Sequence, residues 1–269
     1  MRAAQRELLD VAIQVAVQAA ELAEAARSSA IHDVGTKSSE TDVVTAGDRA
    51  SERLVRERLA ELRPGEPVLG EEEGGTGATG RAGVCWVVDP IDGTVNYLYG
   101  YPWYAVSLAA QVDGVSVAGV IVEPVSGRRW TAVRGEGAEL DGKPLRASGT
   151  DRLDLALVGT GFAYRAERRR RQAVGVAELL GRVRDIRRGG AASLDLCAVA
   201  AGWLDGYFEH GLSRWDWAAG TLIAEEAGAL VRIPGTTGDG FGEDLLMAAA
   251  PGVADALSSA LLDCGLASI

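Results

Sequence analysis

Asp89 and Asp92 stand three residues apart in Trp86-Val87-Val88-Asp89-Pro90-Ile91-Asp92-Gly93-Thr94-Val95-Asn96. The apolar run Val84 to Val88 feeds into them and reads as a buried strand. Pro90 has no N–H to donate, so the strand is expected to stop at Asp89. Gly93 lets the backbone come close to a ligand, and Thr94 adds a hydroxyl at a candidate helix start. Hard cations take such oxygens, and phosphate takes the free N–H groups beside them. The same residues also suit a plain strand-to-helix turn in which Asp89 or Asp92 caps the helix.

Other acids carry the same double reading. Thr45 and Asp48 have capping-box spacing, yet a carboxylate in a first helical turn can also face a metal-bound water. Ser213 and Asp216 repeat that spacing within Ser213-Arg214-Trp215-Asp216-Trp217-Ala218-Ala219-Gly220. Glu71 opens a run of three glutamates after Gly70, which reads by itself as a solvated loop. Arg165 to Arg171 holds five arginines, a phosphate clamp or a solvated helix start. Glu71, Asp89, Asp92 and Asp216 each follow a strand or open a helix, where loops bring functional groups to one edge. In one cleft they would repel strongly unless cations were bound. Magnesium suits oxygen-rich sites completed by water and phosphate, and two or more such ions can hold phosphate and activate water. The chain has two histidines, His32 and His210, so a zinc centre or a Ser-His-Asp triad has little to work with.

The elements that must position these residues are legible as patterns. Residues 3 to 27 read as a long helix with Leu8, Val11, Ile13, Val15 and Leu22 on its apolar face. Residues 30 to 40 read as a loop or irregular hairpin. A second helix is expected from about Ala46 to Leu62, ended by Arg63-Pro64-Gly65. Val68-Leu69 is a short strand running into Gly70-Glu71, and glycines and small residues to Gly80 mark a mobile surface loop. Tyr104 to Val112 and Val115 to Val122 flank the hairpin dipeptide Asp113-Gly114. A strand at about Arg129 to Arg134 and a short hairpin at Asp141-Gly142 follow. The first half is thus two helices and an antiparallel meander containing the strand that ends at Asp89. From near Ser148, strands are expected over 155–160, 185–188 and 204–209, around Val231 and Ile233, and over 244–249. Helices are expected over 165–180, 191–201, 213–228 and 253–262.

Hydrophobic residues make up 47% of the 269 and charged residues 24%, ordinary for a soluble globular chain. The net charge of −11 argues against a broad nucleic-acid footprint or attraction to an anionic membrane. It leaves phosphate substrates open, because bound metal reverses the local sign. Cys85, Cys197 and Cys264 are widely spaced in apolar surroundings and read as reduced core residues of a cytoplasmic protein. The first 27 residues are broken by charges and do not form a signal peptide. No run reaches the ~18 apolar residues of a membrane span.

Asp89-Pro90-Ile91-Asp92-Gly93-Thr94-Val95-Asn96 resembles the signature of the inositol monophosphatase family of metal-dependent sugar phosphatases. The resemblance covers nearly the whole chain. Thr41-Asp42 through Asp48, Gly70-Glu71-Glu72, Gly190-Ala191-Ala192, Glu209 and Trp215 to Gly220 agree with it in order and spacing. It implies two or three magnesium ions. Glu71, Asp89 and the Ile91 carbonyl would hold the first, Asp89, Asp92 and Asp216 the second, and a weaker third would sit by Glu71. Thr94, with Asp48 nearby, would orient and activate the attacking water, and the Gly93 and Thr94 N–H groups would bind phosphate. Asp92, the Gly190–Ala192 backbone and Glu209 would contact sugar hydroxyls.

The resemblance further implies an α+β fold, a layered α-β-α-β-α sandwich with two subdomains, lithium sensitivity and a homodimer. Residues 1–147 would carry most metal ligands, and 148–269 the substrate contacts and the last ligand. The family often has threonine where Ala191 stands, and the loop from Glu72 to Gly83 is rich in glycine. The expected activity is hydrolysis of inositol monophosphate, a small phosphorylated polyol. Alternatives are fructose 1,6-bisphosphate, histidinol phosphate, NADP or 3′-phosphoadenosine 5′-phosphate as substrate, or a regulatory homologue without activity. Glu209 favours a polyol, since a carboxylate accepts hydrogen bonds from vicinal hydroxyls.

Overall fold

The computed structural model describes residues 2–30, 34–37, 43–75 and 83–269. The expectations for Thr41-Asp42 and for the stretch from Thr76 to Gly80 lie outside the described residues. The chain opens with helix α1 (Arg2–Ala30), the paired strands β1 (Val34–Thr36) and β2 (Val43–Thr45), and helix α2 (Ala46–Leu62). Strands β3 (Val68–Gly70) and β4 (Val84–Asp92) lead to the short helix α3 (Thr94–Tyr99). Strands β5 (Ala105–Val112), β6 (Val115–Val122), β7 (Arg129–Val133), β8 (Gly137–Leu140) and β9 (Lys143–Pro144) complete a seven-stranded sheet in the order β3-β4-β5-β6-β7-β8-β9. Only β3 pairs in parallel there, and the rest is the expected meander. Asp113 and Gly114, with φ of 50° and 81°, make the tight turn that a two-residue hairpin requires.

Next come β10 (Leu157–Thr160), α4 (Ala166–Leu180), β11 (Asp185–Arg187), α5 (Ala192–Ala200), β12 (Gly206–His210), α6 (Arg214–Glu226), β13 (Leu230–Arg232), β14 (Leu245–Ala249) and α7 (Ala254–Asp263). Their five-stranded sheet is ordered β11-β10-β12-β14-β13.

Side-chain alternation along the strands assigns the layers. In β4, Trp86 and Val88 pack against Leu8, Val15, Val55 and Leu59 of α1 and α2. Val87 faces the other way, onto Leu194 and Cys197 of α5 and Leu222 of α6. The far side of α5 and α6 meets Tyr207, Leu246 and Ala248 of the second sheet. Phe208, Leu245 and Met247, on that sheet's outer face, pack on Leu179 of α4 and Leu257 and Leu261 of α7. The result is the α-β-α-β-α sandwich, with α5 and α6 as the shared middle layer. All three cysteines are free and buried. No described helix is long and apolar enough to cross a membrane.

One expectation is corrected. Strand β4 does not stop at Asp89 but continues through Pro90 to Asp92. Asp89 pairs with Ser107 and Asp92 with Ala105, so three steps on β4 match two on β5. A bulge leaves a residue without its ladder bond, and a missing proline N–H is tolerated there.

Candidate active site

The ends of several elements meet around a cleft of about 450 Å³. Glu71 follows β3. The bulged end of β4 contributes Asp89, the Ile91 carbonyl and Asp92, followed by Gly93 and Thr94. Gly190 and Ala192 come from the start of α5, Glu209 from β12, and Asp216 from the first turn of α6. Residues as far apart in the chain as Lys37 and Asp216 thus share one lining. Two expected contributors are not on the lining. Ala191 is buried behind it, and Asp48 reaches it only through Thr94.

Both capping boxes are present. Asp48 Oδ2 accepts the Thr45 N–H at 2.8 Å and the Thr45 hydroxyl at 2.6 Å. Its other oxygen, Oδ1, lies 3.0 Å from the Thr94 hydroxyl, whose one proton is shared with the Ile91 carbonyl at 3.1 Å. The cap therefore fixes one Asp48 oxygen and leaves the other facing Thr94. Asp216 Oδ2 accepts the Ser213 N–H at 2.5 Å, which also leaves one oxygen uncommitted. For Asp48 and Asp216, capping and site chemistry are compatible.

Asp92 is held differently. Its Oδ1 accepts the Ala192 N–H at 3.2 Å, and its Oδ2 accepts the Ser193 N–H at 2.7 Å and the Ser193 hydroxyl at 2.5 Å. The carboxylate from the first sheet thus caps α5 across the domain and ties the two halves at the cleft. Asp89 Oδ1 accepts the Ile91 N–H at 3.1 Å, which closes the bulge.

The electrostatics of the cleft are unbalanced. Burial raises the Asp89 carboxyl well above its usual range, and the charges of Glu71, Asp92 and Asp216 push it the same way. Asp216 is raised by burial, then by Glu71 and Asp92. Asp92 is pushed up to about 7, chiefly by burial and against the opposing hydrogen bonds from Ser193. Lys37 pairs with the two neighbouring glutamates, its Nζ 2.8 Å from Glu71 and 2.5 Å from Glu72. Among the described residues, no three acidic, histidine or cysteine side chains stand as a ready-made metal cage. The carboxylates turn instead to the donors nearest them: Ser193, Ser213, the Ile91 N–H and Lys37. The donor set nonetheless fits a hard divalent cation. It is all oxygen, mostly carboxylate, and crowded enough that burial and mutual repulsion raise the pKa values when no such charge is supplied.

The arginine run divides. Arg165 and Arg168 line the cleft, with Arg168 also paired to Asp244. Arg169 turns back to the Ala163 and Tyr164 carbonyls, and Arg170 and Arg171 are exposed. Sequence reading missed Lys37, Arg188 and Ser193. Arg188 lines the cleft and its charge works against the burial that raises Glu209. Glu209 itself accepts the Tyr207 hydroxyl at 2.5 Å. No local pattern marks Ser193, because its partner lies 101 residues away.

Comparison with known proteins agrees with this geometry. A family model described as the inositol monophosphatase family matches residues 4–265. The inositol-1-monophosphatase of Mycobacterium leprae is 55% identical over 235 residues, which cover 85% of this chain and 81% of that protein. The solved structure of Mycobacterium tuberculosis SuhB is similar with a TM-score of 0.83 at 43% identity, covering 97% of this chain and 98% of that one. A Nus factor SuhB of Pseudomonas aeruginosa is 44% identical over 194 residues, 71% of this chain and 72% of that protein.

Proposed function

The chain belongs to the inositol monophosphatase family, and we propose that it is a magnesium-dependent phosphomonoesterase releasing inositol and phosphate from inositol monophosphate. The observation that carries this reading is the convergence of Glu71, Asp89, Asp92 and Asp216 on one cleft, with the Thr94–Asp48 pair at its wall. In it, Glu71, Asp89 and the Ile91 carbonyl would hold one ion, Asp89, Asp92 and Asp216 would hold a second, and Glu71 would sit by a weaker third. Bound there, magnesium supplies positive charge for the phosphate and lowers the pKa of water.

The protein's own groups do the rest. The Thr94 hydroxyl orients the attacking water, and Asp48 Oδ1 takes the proton that Thr94 passes on. Glu71 is the second carboxylate beside that water. The Gly93 and Thr94 N–H groups face the phosphate. Asp92, Glu209, Asp216 and the Gly190–Ala192 backbone meet the polyol hydroxyls. Glu209 suits that role because a carboxylate only accepts, and vicinal hydroxyls donate. The reading extends to a cytoplasmic homodimer whose two subdomains divide near residue 147, with neither nucleic acid nor membrane as a partner. Lithium is expected to inhibit uncompetitively or noncompetitively through Asp89, Asp92 and Asp216. A rate indifferent to high lithium would mean that this part of the site departs from the family.

The deciding assay is phosphate release with magnesium from inositol 1-phosphate, fructose 1,6-bisphosphate, histidinol phosphate, NADP and 3′-phosphoadenosine 5′-phosphate. Inositol 1-phosphate should give the highest kcat/KM. Preference for another member of the panel would keep the chemistry and move the substrate. Release from none would favour a regulatory homologue.

A further inference from the structure

Glu52 lies in α2, one turn beyond Asp48, and is fully buried. The mechanism above gives it no part. Its Oε2 accepts the Glu72 N–H at 2.7 Å, and its Oε1 accepts the Glu73 N–H at 3.1 Å. Arg56, the next turn along the same helix face, donates to Oε1 from Nε at 2.9 Å and from a terminal nitrogen at 2.7 Å. The same guanidinium donates to the Val68 carbonyl at 3.2 Å and the Gly74 carbonyl at 2.5 Å. The pair therefore grips the turn from both sides, by the N–H groups just after Glu71 and by carbonyls on either flank.

Gly70 completes the fit. A Cβ there would lie 2.2 Å from Glu52 Oε1, so any larger residue would push this carboxylate aside. Besides this grip, the Gly70 N–H donates to the Gly74 carbonyl at 3.0 Å and Lys37 pairs with Glu71 and Glu72. Strand β3 is three residues long, sits at the sheet edge and pairs with β4 alone. Burying a carboxylate is costly unless it is paired and hydrogen-bonded, and here every donor it satisfies belongs to Arg56 or to the turn that carries Glu71.

We propose that Glu52 is a positioning residue for the metal site: it acts through the Gly70–Gly74 turn to hold Glu71 toward the cleft. This rests on the reading of Glu71 as a metal ligand. Glu52→Gln keeps shape and volume but turns an NH₂ group toward neighbours that are all donors. In the full-length protein without substrate, the magnesium concentration giving the half-maximal rise in Tm should increase about 10-fold to 100-fold, the range typical for residues that support a ligand. Amide exchange at Glu72 and Glu73 should quicken in the metal-free protein. Arg56→Lys, which keeps the charge and loses the fork to Val68 and Gly74, should move both readouts the same way and decides the matter if Glu52→Gln does not fold. A folded variant with unchanged magnesium dependence and unchanged exchange at Glu72 and Glu73 overturns the proposal. Glu71→Gln separates the two ideas. If it leaves magnesium dependence intact, the ligand role of Glu71 fails, while faster exchange in Glu52→Gln still reports the positioning.

Discussion

Asp216 has one oxygen on the Ser213 N–H and another free for the cleft, and Asp216→Asn tells which matters for rate. Asparagine can still accept from a backbone N–H, so loss of a cap alone should cost no more than ~1 kcal/mol of stability and leave turnover nearly unchanged. Loss of a charge that balances bound metal should instead cost ~3–4 kcal/mol in the transition state, a rate drop of several hundredfold. The second outcome is expected, measured as kcat with inositol 1-phosphate. The metal-free variant should also melt higher, because Glu71 and Asp92 already disfavour a charged Asp216. Near-normal turnover with a lowered Tm would identify a helix cap alone. The residues around Asp89 to Thr94 were legible because their chemistry is packed into six consecutive positions. Lys37 and Ser193 were not, because each acquires its partner only through the fold, 34 and 101 residues away.

Among the elements, the turn from β4 into α3 is the most exacting. Gly93 has a φ of 90°, and a Cβ there would lie 3.1 Å from the Trp103 carbonyl oxygen and 3.2 Å from the Ala191 Cβ. Gly93→Ala should cost ~1–3 kcal/mol of stability and reduce turnover, since the strained turn carries both Asp92 and Thr94. Gly127 has a φ of 72° with nothing within 4 Å of a Cβ. Gly127→Ala should therefore lose stability by thermal melting but keep full turnover. Equal loss of activity in both would mean that global stability, not this turn, governs the site. Helix α2 matched its reading at both ends because caps and stop signals are local. The end of β4 did not, because Pro90 reads as a terminator until a bulge absorbs its missing donor. The strand expected from Leu155 begins at Leu157, after a tight helical turn at Leu153–Leu155 that apolar residues alone do not reveal.

The whole molecule gathers acids from both halves of the chain, and this links stability to pH. Burial is the main cause that pushes Asp92 and Glu72 up to about 7 and raises Asp89 and Asp216 well above their usual range. Their unfolded values lie near ~4, so between those limits the folded state binds more protons than the unfolded. Stability then falls as pH rises. The metal-free protein should lose Tm steadily from about pH 5 to about pH 8, and saturating magnesium should flatten the decline. His210, lowered by burial, acts in the opposite sense on the acid side of this window, against a larger set of raised carboxyls that also includes Asp48, Glu71, Asp195 and Glu209. A metal-free Tm that rises with pH would contradict this account of the cleft. The run of helices and strands fits several α+β layouts, so the five layers followed only from the family resemblance, and which helices form the middle layer could not be read at all. That assignment depends on Val87 facing α5 and α6 while Trp86 and Val88 face α1 and α2. The most direct test of the central claim is phosphate release from inositol 1-phosphate by protein stripped with chelator and then given magnesium. Turnover should vanish on stripping and return with magnesium, while calcium restores little. Undiminished turnover in excess chelator would contradict it.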